Sequence, residues 1–264
     1  MLKFAANLSV LFTEVPFLDR FERAAEAGFR GVECLFPYAY DAGDVAARLD
    51  RHGLELVLIN MPAGNWEAGE RGTAALPDRR DEFRGAVETA LEYARAVGCK
   101  QVHAMSGIIP PDADRARCEH AFLENIRHAA DLAVKDNVTI LIEALNDRDV
   151  PGYFVAHQLD AMELVRRVGR PNVAVQLDYY HAQIMDGDLT RLTERMAGSF
   201  AHVQIASVPD RHEPDEGEVS YRHVFETLER VGFAGWIGCE YVPRRTTEDG
   251  MRWMDTRRRR RRRG

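Results

Sequence analysis

The chain has 264 residues, 45% apolar and 29% charged, which is the balance of a soluble globular protein with a sizeable core. No run of about 18 apolar residues occurs, so no membrane span is expected, and Glu14 and Pro16 break the N-terminal apolar stretch too early for a secretory signal. The net charge of −7 includes seven consecutive arginines, Arg257 to Arg263; without them it is −14, and so acidic a body argues against a nucleic-acid groove.

Taken in chain order, short apolar runs alternate with amphipathic ones. The predicted strands are 4–10, 31–36, 54–61, 100–106, 139–145, 173–181, 201–207 and 235–241; they are brief, rich in β-branched residues and often bounded by Gly or Pro, as buried parallel strands are. Helical periodicity is clear over 17–28, which stops at Gly28, and over 81–98, 124–136 and 224–235. Eight such units in 264 residues give about 33 residues each, an ordinary size for a repeat of a (β/α)8 TIM barrel, the α/β fold expected here. A doubly wound sheet would need a Gly-rich turn after its first strand, and "NLSVLFTEVPF" has no glycine. The barrel is expected to occupy 1–255 as a single domain, followed by a disordered poly-Arg tail at 256–264. Two loops after strands are long and therefore candidates for function, "PAGNWEAGERGTAALPD" at 62–78 and "PDRHEPDEGE" at 209–218.

Polar residues close the last four predicted strands: Glu143, Asp178, Gln204 and Glu240. Their separations, 35, 26 and 36 residues, are each about one βα unit, so the four side chains are expected to meet at the C-terminal mouth, where barrel enzymes place their chemistry. One acid at a strand end is equally well a helix N-cap or a surface ion-pair partner. Three carboxylates and an amide at matching positions repel one another unless a cation sits among them, and an all-oxygen donor set suits Mg²⁺ or Mn²⁺. His181, three residues after Asp178, offers a hydrogen bond to a substrate or is a satisfied loop histidine. Arg211 offers a bidentate partner for a substrate carboxylate or pairs with Asp210 or Glu213 nearby. Glu70 and Arg71 form part of a lid over the substrate or a local ion pair.

Other chemistries are disfavoured. The three lysines, Lys3, Lys100 and Lys135, lie away from the predicted C-terminal strand ends, which disfavours a Schiff-base mechanism. The acidic seventh-strand loop is a poor phosphate cradle. The four cysteines show no C-x-x-C spacing and read as reduced thiols of a cytoplasmic protein, not as zinc ligands. An apurinic-endonuclease-like enzyme would need a histidine-rich zinc cluster at strand ends, whereas His52, His120, His128, His157 and His223 fall in predicted helices or loops. A non-catalytic sugar-acid-binding barrel is the remaining rival.

The stretches "KFAANLSVLFTEVPFLDRFERAAEAGFRGVE", "NMPAGNWEAGERG", "IEALNDRDVPGYF", "LDYYHAQ", "HVQIASVPDRHEPDEGEVSY", "GCEYVP" and "GMRWMD" together resemble the hydroxypyruvate isomerase family of the xylose-isomerase-like barrels, over nearly the whole chain. The resemblance implies an isomerase interconverting hydroxypyruvate and tartronate semialdehyde through a cis-enediolate. The alternative is an isomerase of 2-oxo-tetronate or of a related sugar acid. It also implies Glu143 and Glu240 as the proton-transferring pair and Glu143, Asp178, Gln204 and Glu240 as residues of a divalent-metal site. His181 and Arg211 resemble substrate contacts. The expected partner is a small hydroxy-oxo acid, with no nucleic acid and no membrane, and a homo-oligomer is compatible with the family. Ala144, Ser207, Asp210 and His103 depart from the usual pattern and bear on substrate preference.

Overall fold

All eight predicted strands form, each shorter than its apolar run. A computed structural model of the chain describes residues 2–254, so the poly-Arg tail expected at 256–264 lies outside the described residues. The strands are β1 (Lys3–Asn7), β2 (Gly31–Cys34), β3 (Glu55–Asn60), β4 (Gln101–His103), β5 (Thr139–Glu143), β6 (Val173–Asp178), β7 (Phe200–Ile205) and β8 (Trp236–Cys239). They pair in parallel in chain order and β8 returns to β1, closing a (β/α)8 barrel.

The helices are α1 (Arg20–Glu26), α2 (Ala42–His52), α3 (Arg80–Val97), α4 (Arg115–Ala133), α5 (Gln158–Val168), α6 (Tyr179–Met185), α7 (Leu189–Arg195) and α8 (Tyr221–Arg230). The helix expected from residue 124 begins nine residues earlier, because the Asp114 carboxylate accepts from the Ala116 and Arg117 N–H groups and caps it. Their apolar faces pack on the outside of the strands and form the main core, with Phe21, Phe29, Phe122 and Tyr179 among its fully buried members. No helix among the described residues is long and apolar enough to cross a membrane.

The sixth strand, expected to reach His181, stops at Asp178. The Asp178 Oδ1 accepts from the Tyr180 N–H, and that cap turns the chain into α6, which carries His181.

The barrel interior has two parts. At the N-terminal end it is apolar: Ala5, Val57, Leu58 and Leu141 pack with Trp236, and Lys3 Nζ lies 4.6 Å from the Trp236 ring centre. Toward the C-terminal end it turns polar, with Asn7, Glu33, His103, Glu143, Gln176, Asp178, His202 and Gln204 all buried. Register explains how distant residues come level. Glu143 pairs with Gln176, two residues short of Asp178, and Gln204 pairs with Gly238, two residues short of Glu240. An offset of this kind is the stagger that tilted barrel strands require.

Candidate active site

Strand alternation sends Glu143 and Asp178 inward from β5 and β6, and Glu240 follows β8 by one residue. Glu143, Asp178 and His181 each bring one donor atom to a common cluster in which all atoms lie within 4.8 Å of one another. Glu240 joins through Arg211, whose Nη2 stands 3.2 Å from Asp178 Oδ2 and 3.4 Å from Glu240 Oε1. Buried Asp178 and half-buried Glu240 therefore share one guanidinium, with the charge of Glu143 also acting on it.

The imbalance sets the electrostatics. Burial pushes the Glu143 carboxyl well above the usual range, and the charges of Asp178 and Glu240 push it further. Burial also raises Asp178, against the pull of Arg211 and the Tyr180 N–H. Glu240 is pushed up to about 8 by burial, with Arg211 opposing and Asp178 adding. Burial works against the charge on Arg211, but Glu240, Asp178 and Glu143 outweigh it and hold the guanidinium above its ordinary value. A cluster with more carboxylates than cations takes up protons or a metal ion.

This has a measurable consequence for stability. Above about pH 4.5 an unfolded glutamate has released its proton while folded Glu240 retains it up to about 8. Across that window the folded state binds more protons, so stability falls as pH rises, by up to about 1.4 kcal/mol per pH unit per retained proton. Denaturant melts in chelator from pH 5 to 8 are expected to show this decline, a shallower one in Glu240→Gln, and recovery on adding Mn²⁺, which displaces the protons. A profile identical in Glu240→Gln would assign the decline elsewhere.

His181 is fixed more tightly than its sequence position suggests. Its Nδ1 accepts from the Asn146 backbone N–H at 3.0 Å, so in the neutral ring the proton sits on Nε2. Burial, Arg211 and His103 hold its pKa well below the usual histidine value. Nε2 faces Asp178 Oδ2 at 3.6 Å and Arg211 Nη1 at 3.4 Å. A protonated nitrogen has no lone pair for a cation. His181 thus turns an N–H toward the cluster, with Asp178 Oδ2 at 3.6 Å beyond hydrogen-bond distance, and the groups suited to a hard cation are the carboxylates.

Arg211 reaches the cluster from the loop after β7 with its backbone at φ 56°, the left-handed region that costs an arginine roughly 1–2 kcal/mol. Its guanidinium lies 4.7 Å from the Tyr180 ring centre, and Tyr180 donates to Asp149, which also accepts from Asn146 Nδ2. Gln204 stands beside Asp178 in register, its amide bonded to Gln176 and Glu33.

Glu70 and Arg71 are placed differently. The ion pair of Glu70 is with Arg79, whose Nη1 and Nη2 meet its two oxygens at 2.6 and 2.8 Å, and Glu70 also accepts from the Asn65 N–H. These bonds brace the loop and leave its carboxylate occupied. Arg71 lies 3.7 Å over the Trp66 ring and donates to the Trp66 and Glu70 carbonyls. Trp66, with Phe36, packs on Ala63, Met105, Leu145 and Tyr153, an apolar wall formed where β3, β4 and β5 end.

Glu33, His202, Gln176 and Asn146 are neighbours of the candidate site that sequence reasoning missed. Glu33 carried a usable signal, a charge inside the buried run "GVECLF". His103, noted only as a departure from the family pattern, is 1% exposed, with Nδ1 3.5 Å from Glu143 Oε2 and no hydrogen-bond partner for either ring nitrogen. Burial, then His202, pushes its pKa down to about 3, so the ring is neutral.

Residues 21–257 match the family model of the xylose isomerase-like TIM barrel. The chain is 51% identical to the 2-oxo-tetronate isomerase of Haemophilus influenzae over 254 residues, covering 96% of this chain and 98% of that protein. It is 45% identical to the hydroxypyruvate isomerase of Escherichia coli over 255 residues, covering 97% and 99%. A crystal structure from Brucella melitensis, named as an AP endonuclease of family 2, superposes with a TM-score of 0.95 at 60% identity, covering 97% of this chain and 99% of that one.

Proposed function

The chain belongs to the xylose isomerase-like TIM barrel family, and from that membership we propose that it is an isomerase of a short 2-oxo-3-hydroxy acid. The substrates considered are hydroxypyruvate and its four-carbon counterpart 2-oxo-tetronate. The identities of 51% and 45% to isomerases named for these two acids support the class and lean toward the four-carbon acid. The observation that carries the reading is the pair Glu143 and Glu240, raised by burial and linked through Arg211 and Asp178 in one polar mouth.

In the proposed reaction one of these glutamates takes a proton from C3 of the substrate, leaving a cis-enediolate. Protons redistribute between O2 and O3, and a proton returns to C2. Hydroxypyruvate so becomes tartronate semialdehyde with no change in composition. Buried carboxyls with raised pKa values are suited to moving protons near neutral pH. His181 presents an Nε2–H to a substrate oxygen. Arg211, already across Asp178 and Glu240, has the planar fork that recognises a carboxylate.

A divalent cation fits this site, because the carboxylates exceed the positive groups facing them and burial penalises each one. Glu143, Asp178, Glu240 and the Gln204 amide oxygen would hold it, with Mg²⁺ or Mn²⁺ suited to such donors. When bound it would offset the negative charge developing on the substrate oxygens.

The endonuclease name carried by the Brucella melitensis structure suggests a second reading, which the site does not favour. His181 turns an N–H toward the cluster, and His202 Nε2 is committed to Glu33. The body of the chain is strongly acidic.

Proton NMR of hydroxypyruvate and of 2-oxo-tetronate in D₂O tests the proposal. The expected result is deuterium entering the carbon beside the ketone, faster with one acid, and lost in chelator. A protein that binds either acid without exchange is a binding barrel, and the isomerase reading fails.

A further inference from the structure

Beyond Glu143, Asp178 and Glu240, the barrel interior holds a further carboxylate that the chemistry above does not use. Glu33, on β2, is fully buried. Its Oε1 accepts from Asn7 Nδ2 at 3.0 Å and from Gln204 Nε2 at 2.8 Å, and its Oε2 lies 2.7 Å from His202 Nε2. No arginine or lysine pairs with it among the described residues. Space for it is built into the barrel: a Cβ on Gly238 would fall 2.3 Å from both Glu33 oxygens, so β8 carries glycine where Glu33 crosses the interior.

An amide side chain can usually turn over, exchanging nitrogen and oxygen, because its two ends have the same shape. Gln204 is denied that freedom. A carboxylate only accepts, so the end of Gln204 that faces Glu33 must be nitrogen. Its oxygen is then turned away, where it accepts from Gln176 Nε2 at 2.6 Å and keeps a second lone pair. The flipped amide would set oxygen against carboxylate where both side chains are buried.

We propose that Glu33 is a positioning residue that locks the Gln204 amide with its oxygen available to a divalent cation at the mouth. This rests on the reading of Gln204 as part of the cation site. Glu33 touches neither cation nor substrate; it acts through Gln204, and Asn7 and His202 hold it in place. Partners one step behind a ligand commonly change metal affinity by 10- to 100-fold when removed.

Calorimetric titration of Mn²⁺ into the metal-free protein tests this, using wild type, Glu33→Gln, Gln204→Ala and the double variant. Glu33→Gln keeps the shape but can donate as well as accept, so the lock is lost. The expected results are a drop in Mn²⁺ affinity of about tenfold or more in each single variant and no further drop in the double. Gly238→Ala keeps the carboxylate but crowds it, and is expected to weaken Mn²⁺ in the same way, which covers the case in which Glu33→Gln folds poorly. If Gln204→Ala binds Mn²⁺ as wild type does, Gln204 is no ligand and the inference falls with that part of the site. If Gln204→Ala weakens binding but Glu33→Gln lowers only the melting temperature, or its effect persists in the Gln204→Ala background, the cation site stands and the positioning role is overturned.

Discussion

Glutamine in place of Glu143 or Glu240 is expected to reduce turnover by at least about 10²- to 10⁴-fold, the range supplied by a positioned acid or base. The swap preserves shape and hydrogen-bonding reach but removes the capacity to take and return a proton. In the proposed reaction the two residues serve successive halves of one transfer, so the double variant should be little worse than either single one. The fold should survive. Both carboxyls are raised chiefly by burial, so replacing either with a neutral amide relieves a charge the site disfavours, and the metal-free protein should melt no lower than wild type at pH 8. Deuterium exchange followed by NMR, with melting curves on the same samples, checks both halves. Turnover within tenfold of wild type in either variant would remove that glutamate from the proton transfer.

Arg211→Met should produce the other large effect, and its size should depend on pH. Arg211 is the guanidinium that joins Asp178 to Glu240, and its removal leaves the buried carboxylates facing one another. Breaking a buried pair on one side costs about 3–5 kcal/mol when the remaining charge persists. At pH 8 the metal-free variant should lose stability toward the lower end of that range, because the guanidinium side chain is 25% exposed and water screens part of the interaction. At pH 5 Glu240, pushed up to about 8, is protonated, so the loss should be smaller than at pH 8. Catalytic efficiency should fall as well if, as proposed, the same fork receives the substrate carboxylate. Arg211→Lys restores the charge without the planar pair of donors and should rescue stability more than activity. Equal destabilisation at both pH values would mean that Arg211 contributes through packing on Tyr180 and not through charge.

The strain at Arg211 fits this picture. A left-handed arginine would relax unless its side chain were held, and here two carboxylates and an aromatic face hold it. The neighbouring histidine is set by another kind of constraint. Nothing in "DYYH" announces which nitrogen of His181 carries the proton; the Asn146 N–H decides it from 35 residues away. The same turn ties Asn146 to Asp149, and Asp149 to Tyr180, so the loop after β5 and the first turn of α6 orient each other.

The barrel, and the strand ends that carry its candidate site, were legible in the amino-acid sequence because both depend on local, repeating signals. Short apolar runs bounded by breakers mark parallel strands, and polar residues one βα unit apart mark strand ends on the same rim. Glu143, Asp178, Gln204 and Glu240 could be named on that basis alone. β6 ends three residues before the apolar pattern of "DYYH" does, because the Asp178 carboxylate caps the Tyr180 N–H and starts α6. The partners of those residues were decided only by closure of the barrel. Glu33 meets His202 and Gln204 across 169 and 171 residues of chain, and that meeting needs β2 to face β7 across the interior and Gly238 to leave room between them. Spacing along a chain sets which strand a side chain belongs to and which way it points. Which groups then share one another's protons and charge depends on distances across the axis, and those exist only once eight strands have closed into a ring.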